Sequence, residues 1–185
     1  MTHQPPLRGL EDVFRPDLPV QNTELMHFPN VDSDTLKHHG KQIGRAGELL
    51  VESVLLRLGL PSVSPAEFMP VDFFVFHEFG ILRVQVKTAA RAKNNCYQFN
   101  VSHGYHRSPR GVRRYAETDF DLLALVGLQD NVVKFSVDRR RSQFIGVDEV
   151  DRLRRRPGES FGQALDALGV VQTGDPAVGP TPLCY

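Results

Sequence analysis

The sequence predicts an α/β domain with one early helix, a mixed sheet and two late helices. Three observations carry that expectation. Apolar residues recur at helical spacing over residues 41–58, and apolar and polar residues alternate strictly over 81–88. Residues 121–128 are almost wholly apolar, as a strand covered on both faces should be.

Residues 1–33 contain Pro5, Pro6, Pro16, Pro19 and Pro29 without sustained periodicity, and read as an N-terminal arm. The helix follows, capped by Asp34 or a neighbour, with Ile43, Gly47, Leu50, Val54 and Leu58 on one face. Gly59 and Pro61 stop it. Gly40, Gly44 and Gly47 each cost a helix about 1 kcal/mol relative to Ala. Three of them point to close backbone approach, to a sheet or to a ligand.

Residues 71–76 are a short β-branched and aromatic strand, and 77–80 turn the chain. In the second strand, 81–88, Leu82, Val84 and Val86 face one way and Arg83, Gln85 and Lys87 the other. Tyr97, Phe99 and Val101 alternate with polar residues in a third, half-exposed strand over 96–102. Residues 121–128 and 131–137 pair as a hairpin, and amphipathic stretches at 147–155 and 160–168 supply the late helices. The folded body spans 34–171, with 138–171 as a C-terminal helical extension and 172–185 as a flexible tail.

The chain balances 22 Lys and Arg against 22 Asp and Glu, which would argue against a nucleic-acid partner if the charge were evenly spread. It is not. Residues 80–156 hold sixteen basic and eight acidic residues, and between Arg91 and Arg114 there are six basic residues and no acidic one. An anionic partner is one reason for such asymmetry. No apolar run is long enough to span a membrane. Two cysteines, Cys96 and Cys184, make neither a disulfide scaffold nor a Cys-based zinc site, and a cytoplasmic setting is expected. The histidines form no zinc pattern.

Two residues stand out against their elements. Lys87 lies with Arg83 and Gln85 on a strand face that would ordinarily be buried hydrocarbon or open to water. Glu48 borders the apolar stripe of the helix. Packing that helix across the hairpin would converge Glu48, Asp72, Gln85 and Lys87. Magnesium takes oxygen ligands and keeps several waters, so Asp72, the Gln85 amide oxygen and Glu48 suit it, with manganese as a substitute. Lys87 could meet phosphate charge or orient and deprotonate a water.

The order Gly44-x-x-Gly47-Glu48, Pro70-Val71-Asp72, then Val84-Gln85-Val86-Lys87-Thr88-Ala89 resembles the PD-(D/E)XK nuclease superfamily. It is most similar to the branch of archaeal Holliday-junction resolvases and intron-encoded homing endonucleases. Tyr115 and the apolar run from Asp121 to Val126 extend the resemblance, which covers residues 41–137. It implies a restriction-endonuclease-like core: a four-stranded mixed sheet flanked by helices, in α-β-β-β-α-β order. It also implies Glu48, Asp72, Gln85 and Lys87 as the active-site positions. Gln85 stands where an acidic residue is usual, which removes one negative charge beside Lys87 but keeps an oxygen ligand.

The expectation is therefore a magnesium-dependent endodeoxyribonuclease acting on duplex or branched DNA, as a homodimer or higher homo-oligomer. Lys93, Arg107, Arg110, Arg113 and Arg114 are the candidate phosphate contacts, with Tyr97, Tyr105 and Tyr115 available for stacking. Arg139–Arg141 and Arg152–Arg156 have acidic neighbours and can be ordinary charged surface. The alternatives are a catalytically inactive DNA-binding module of the same fold, and an interaction protein whose charged strand face pairs with another subunit.

Overall fold

In the computed structural model the residues described are 23–66, 69–104 and 111–169. The chain divides into two compact units, residues 1–40 and 41–185. In the first, a short 3-10 turn (Thr23–His27) precedes α1 (Ser33–His38). The cap is Asp32 rather than Asp34. Its Oδ1 accepts from the backbone N–H of Asp34 and of Thr35, both at 2.8 Å. α1 ends at His39, and the long helix is a separate element, α2 (Gly40–Arg57).

The second unit builds a five-stranded sheet in the order β1-β2-β3-β5-β6. The strands are β1 (Ser62–Val63), β2 (Phe73–His77), β3 (Gly80–Ala89), β5 (Leu122–Gly127) and β6 (Val132–Ser136). All neighbours are antiparallel except β3 and β5, which run parallel with Gln85 beside Leu123 and Lys87 beside Leu125. The parallel pair needs a long crossover. The resemblance implies a helix there. The described residues place there the strand read over 96–102, β4 (Cys96–Asn100), paired antiparallel with β7 (Ser142–Gly146) as a separate two-stranded ladder. Two helices, α3 (Val147–Arg155) and α4 (Glu159–Ala167), complete the unit.

Side-chain alternation sorts the core into two layers. Val84 and Val86 of β3 pack with Phe73, Val75, Leu122, Ala124 and Val126 against Val51, Val54 and Leu55 of α2 and Phe161, Ala164 and Leu165 of α4. On the other face Leu123 and Leu125 meet Tyr97, Phe99 and Ile145 of the small ladder and Val150 and Leu153 of α3. β5 is buried at all six positions because both layers cover it. Each such Val, Leu, Ile or Phe side chain contributes about 1.5–3 kcal/mol by burial. The free edge at β6 is partly sealed: the Ser160 hydroxyl, buried on α4, accepts from the Phe135 N–H at 3.1 Å.

No described helix is long and apolar enough to cross a membrane. Residues 1–22 of the N-terminal arm and 170–185, which contain the tail and Cys184, lie outside the described residues.

Candidate active site

Gly47 sets how closely α2 approaches the sheet. A Cβ built on it would lie 1.9 Å from Thr88 Oγ1 and 2.9 Å from Thr88 Cβ, so no larger residue fits without displacing Thr88 of β3. A Cβ built on Gly44 would meet nothing within 4 Å. Of the two glycine readings, Gly47 therefore takes the sheet and Gly44 leaves open space. Glu48 follows Gly47 directly and, with Asp72, lines a cavity of about 600 Å³ shared with Lys41, Gly44 and Arg45.

Asp72 enters β2 by donating its N–H to the Val84 carbonyl at 2.9 Å. Its Oδ2 accepts from the Val86 N–H at 2.6 Å and from Gln85 Nε2. Gln85 is only 7% exposed. Its Nε2 also donates to the Val86 carbonyl at 3.1 Å. Two acceptors around one nitrogen fix which way the amide lies, so Oε1 is the atom it can offer a cation. Lys87, two residues on, donates from Nζ to the Ser102 carbonyl at 3.2 Å and sits 5.2 Å from the Tyr115 ring centroid. Tyr115 is stacked on His103 and meets Phe120 edge-on.

Burial pushes the Asp72 carboxyl above its ordinary value, and the charge of Glu48 adds to this. The Val86 N–H, Lys87 and Gln85 pull it back. Burial pushes the Lys87 ammonium below its ordinary value, against the pull of Asp72. Opposed displacements of an acid and a base in one place are characteristic of reactive sites. The Tyr115 phenol is raised by burial and then by the charge of Asp72.

Of the four expected residues, Asp72 and Gln85 touch, Lys87 feels the Asp72 charge, and Glu48 shares the cavity with Asp72. Glu48 is engaged by Arg45, whose Nη1 lies 2.7 Å from Oε2. Among the described residues no three His, Cys, Asp or Glu side chains gather to hold a metal. The donors present are hard oxygens from two carboxylates and one amide. That set fits magnesium, which takes one or two carboxylates together with waters and substrate phosphates, and does not fit zinc.

Lys93, Arg113 and Arg114 are exposed, and none pairs with a carboxylate among the described residues. Arg107 and Arg110 lie outside the described residues, as does Tyr105. Tyr97 and Tyr115 are not available for stacking on bases. Tyr97 is fully buried and donates to Asp130, while Tyr115 packs beneath Lys87. The other basic runs are largely held within the protein. Arg139 donates to backbone carbonyls, including Phe120, while Arg140, Arg152 and Arg154 pair with Asp138, Glu149 and Asp130.

Three features were not singled out from the sequence. One is the Arg83–Asp121 ion pair, which ties β3 to the start of β5 through both carboxylate oxygens. The others are the Ser102 carbonyl on Lys87 and the two cations beside Glu48. Only the last had a signal in the sequence: Arg45 lies three residues before Glu48 on one helix, a spacing that brings side chains together.

No protein-family model matches the chain, and no curated protein does. Among solved structures it is similar to a bacterial homing endonuclease, I-Ssp6803I, with a TM-score of 0.52 and 21% identity, over 73% of this chain and 98% of that one. The likeness shows a shared fold, a mixed α/β sheet flanked by helices.

Proposed function

We propose that this chain is a divalent-metal-dependent DNA endonuclease of the PD-(D/E)XK type, hydrolysing phosphodiester bonds. The observation that carries this reading is the hydrogen-bonded Asp72–Gln85 pair with Lys87 half-buried beside it: oxygen donors and an ammonium on one face of one hairpin. Its fold is that of a solved homing endonuclease, which supports the same reading.

Asp72, Gln85 Oε1 and Glu48 would hold magnesium or manganese, which supplies charge for a phosphoryl oxygen and lowers the pKa of water. The remaining roles belong to the chain. The Val86 N–H and Gln85 Nε2 hold Asp72 Oδ2 and so fix the carboxylate. Lys87 meets the charge developing on the phosphate or takes a proton from the attacking water, and its lowered proton affinity suits it to the second task. The Ser102 carbonyl and the Tyr115 ring keep its ammonium in place. Lys93, Arg107, Arg110, Arg113 and Arg114 contact the DNA backbone, and a homodimer or higher oligomer would present two sites to a duplex or a branched junction. The cytoplasm is the compartment this reading expects.

One observation favours a second reading, an inactive DNA-binding module: with Gln85 in place of an acid, no three acidic or imidazole groups gather among the described residues. Incubating supercoiled, linear, single-stranded and four-way-junction DNA with the protein, in magnesium and in chelator, separates the two. Cleavage in magnesium alone supports the enzyme. Salt-sensitive binding without cleavage of any form supports the inactive module.

A further inference from the structure

Lys41, Arg45 and Glu48 stand at successive turns on one face of α2, and all three line the cavity with Asp72. Arg45 is held only by the exposed pair with Glu48, and Lys41 by no ion pair among the described residues. Lys41 is exposed and pairs with no carboxylate among the described residues. It lies in the first turn of α2, which has no acidic residue, and a cation there opposes the helix dipole at a cost of about 0.3–1 kcal/mol. Gly44 lies between the two cations and costs the helix about 1 kcal/mol more. A Cβ at Gly44 would touch nothing, so packing does not demand the glycine. Helix stability is thus given up twice on the side that faces the cavity. What results is a bare stretch of helix between two cations.

Arg45 is 52% exposed and its partner Glu48 28%. Such a pair is weak, about 0–1 kcal/mol, and is readily exchanged for a more highly charged partner.

We infer that Lys41 and Arg45 form a phosphate-binding lip, which takes a backbone phosphate of nucleic acid lying in this cavity. The inference rests on the endonuclease reading and adds to it a contact that the basic segment at 91–114 does not supply. Glu48 links the two partners. Without a divalent cation it holds Arg45. When a divalent cation takes the Glu48 carboxylate, Arg45 is released toward the phosphate. The coupling is reciprocal, so phosphate on Arg45 should in turn favour the cation on Glu48.

The test compares wild type with Arg45→Ala, Lys41→Ala and the double variant, with Arg57→Ala at the far end of the same helix as a charge-matched control. Duplex DNA affinity is measured against salt in calcium, which replaces magnesium to block cutting. Calcium affinity is measured separately by calorimetry without DNA, and thermal unfolding checks that each variant is folded. The double variant should bind DNA more weakly and flatten the slope of log affinity against log salt by about 1–2, at about 0.9 for each phosphate neutralised. Arg57→Ala should leave the slope unchanged. Arg45→Ala alone should bind calcium about two- to fivefold more tightly, the worth of an exposed ion pair. A wild-type slope in the folded double variant, or an equal effect from Arg57→Ala, would overturn the lip while leaving the endonuclease reading in place. Wild-type protein that binds no DNA at all would overturn both.

Discussion

Gln85 Nε2 donates to Asp72 Oδ2 beside the first pair of the β2–β3 ladder, so the amide holds the carboxylate next to it. A carboxylate at position 85 would lose that bond and set a second negative charge against the first. Gln85→Glu should therefore destabilise the metal-free protein at neutral pH by about 1–3 kcal/mol, the cost of stripping a buried group of its partner. The pair would share a proton, and its folded pKa would rise above the unfolded one. Stability should be recovered as pH falls and lost as it rises. Divalent cation should restore it, with tighter binding than wild type because the site gains a full charge. Thermal unfolding against pH in chelator and in magnesium reads both effects. Unchanged stability in chelator together with unchanged metal affinity would exclude Gln85 from the site.

Asp72 and Lys87 give stability opposite dependences on pH. The Asp72 carboxyl is raised by burial, so its contribution to stability is full below the unfolded carboxyl pKa and falls as pH rises through the folded one. The Lys87 ammonium is lowered by burial, so its contribution is full above the unfolded lysine pKa and falls as pH drops through the folded one. Near neutral pH both charges burden the fold. Asp72→Asn, which keeps an acceptor for the Val86 N–H, should raise the metal-free Tm at pH 7 by about 2–4 °C per kcal/mol recovered. That gain should vanish below about pH 4, where the wild-type carboxyl is itself protonated. Magnesium should raise the Tm of wild type and not of the variant, and cleavage should be lost. A Tm at pH 7 below that of wild type would mean that the ionised carboxylate stabilises the fold.

The element types were largely legible because most of the pattern is local. Alternation marked β3, the apolar run marked β5, and α3 follows the amphipathic stretch at 147–155. Two parts of the fold were not. Residues 142–146 fall in the stretch read from the sequence as a C-terminal helical extension, and become the strand β7 because β4 supplies a partner 42–50 positions away. Among the described residues the crossover holds β4 and no helix, and β4 and β7 cover Leu123 and Leu125 of β5. At the site, the side-chain face of Gln85 and Lys87 could be read from strand period alone. The surroundings of Lys87 could not, because Ser102 and Tyr115 reach it through tertiary folding of the crossover. Tyr97 and Tyr115 show the same limit: an aromatic beside basic residues reads as a stacking platform, but packing decides whether its face is free.

Gly47 and Gly44 should respond to alanine in opposite directions. Alanine gains about 1 kcal/mol in a helix over glycine at either position. At Gly44 the new methyl meets open space, so Gly44→Ala should stabilise the protein by up to that amount. At Gly47 it would collide with Oγ1, Cβ and Cγ2 of Thr88, a branched side chain that cannot swing clear. Overpacking of this kind costs about 1–3 kcal/mol, which matches or outweighs the helix gain. Gly47→Ala should be neutral to destabilising and should weaken metal binding by moving Glu48 away from Asp72. Denaturant midpoints for the two variants give the comparison. Equal stabilisation by both would mean that α2 does not approach β3 as closely as Thr88 requires.

The basic segment is the feature on which the nucleic-acid reading depends most broadly. Arg113 and Arg114 are exposed and carry no carboxylate partner among the described residues, whereas the arginines at 140, 152 and 154 do. If the segment tracks the DNA backbone, its effect must be electrostatic and indifferent to base sequence. Neutralising Arg110, Arg113 and Arg114 together should weaken binding across unrelated duplexes and flatten the salt slope by about 2–3, at about 0.9 for each phosphate left without its cation. Divalent binding should be unaffected, because Asp72 and Gln85 sit on the preceding hairpin and neither touches this segment among the described residues. The measurement is duplex affinity from low to physiological salt, in calcium, on two duplexes of unrelated sequence. A drop in affinity confined to one duplex would point to base reading rather than backbone tracking. Parallel salt lines with unchanged affinity on both would show that residues 91–114 are solvated surface, and the clustering of charge in this part of the chain would then need another cause.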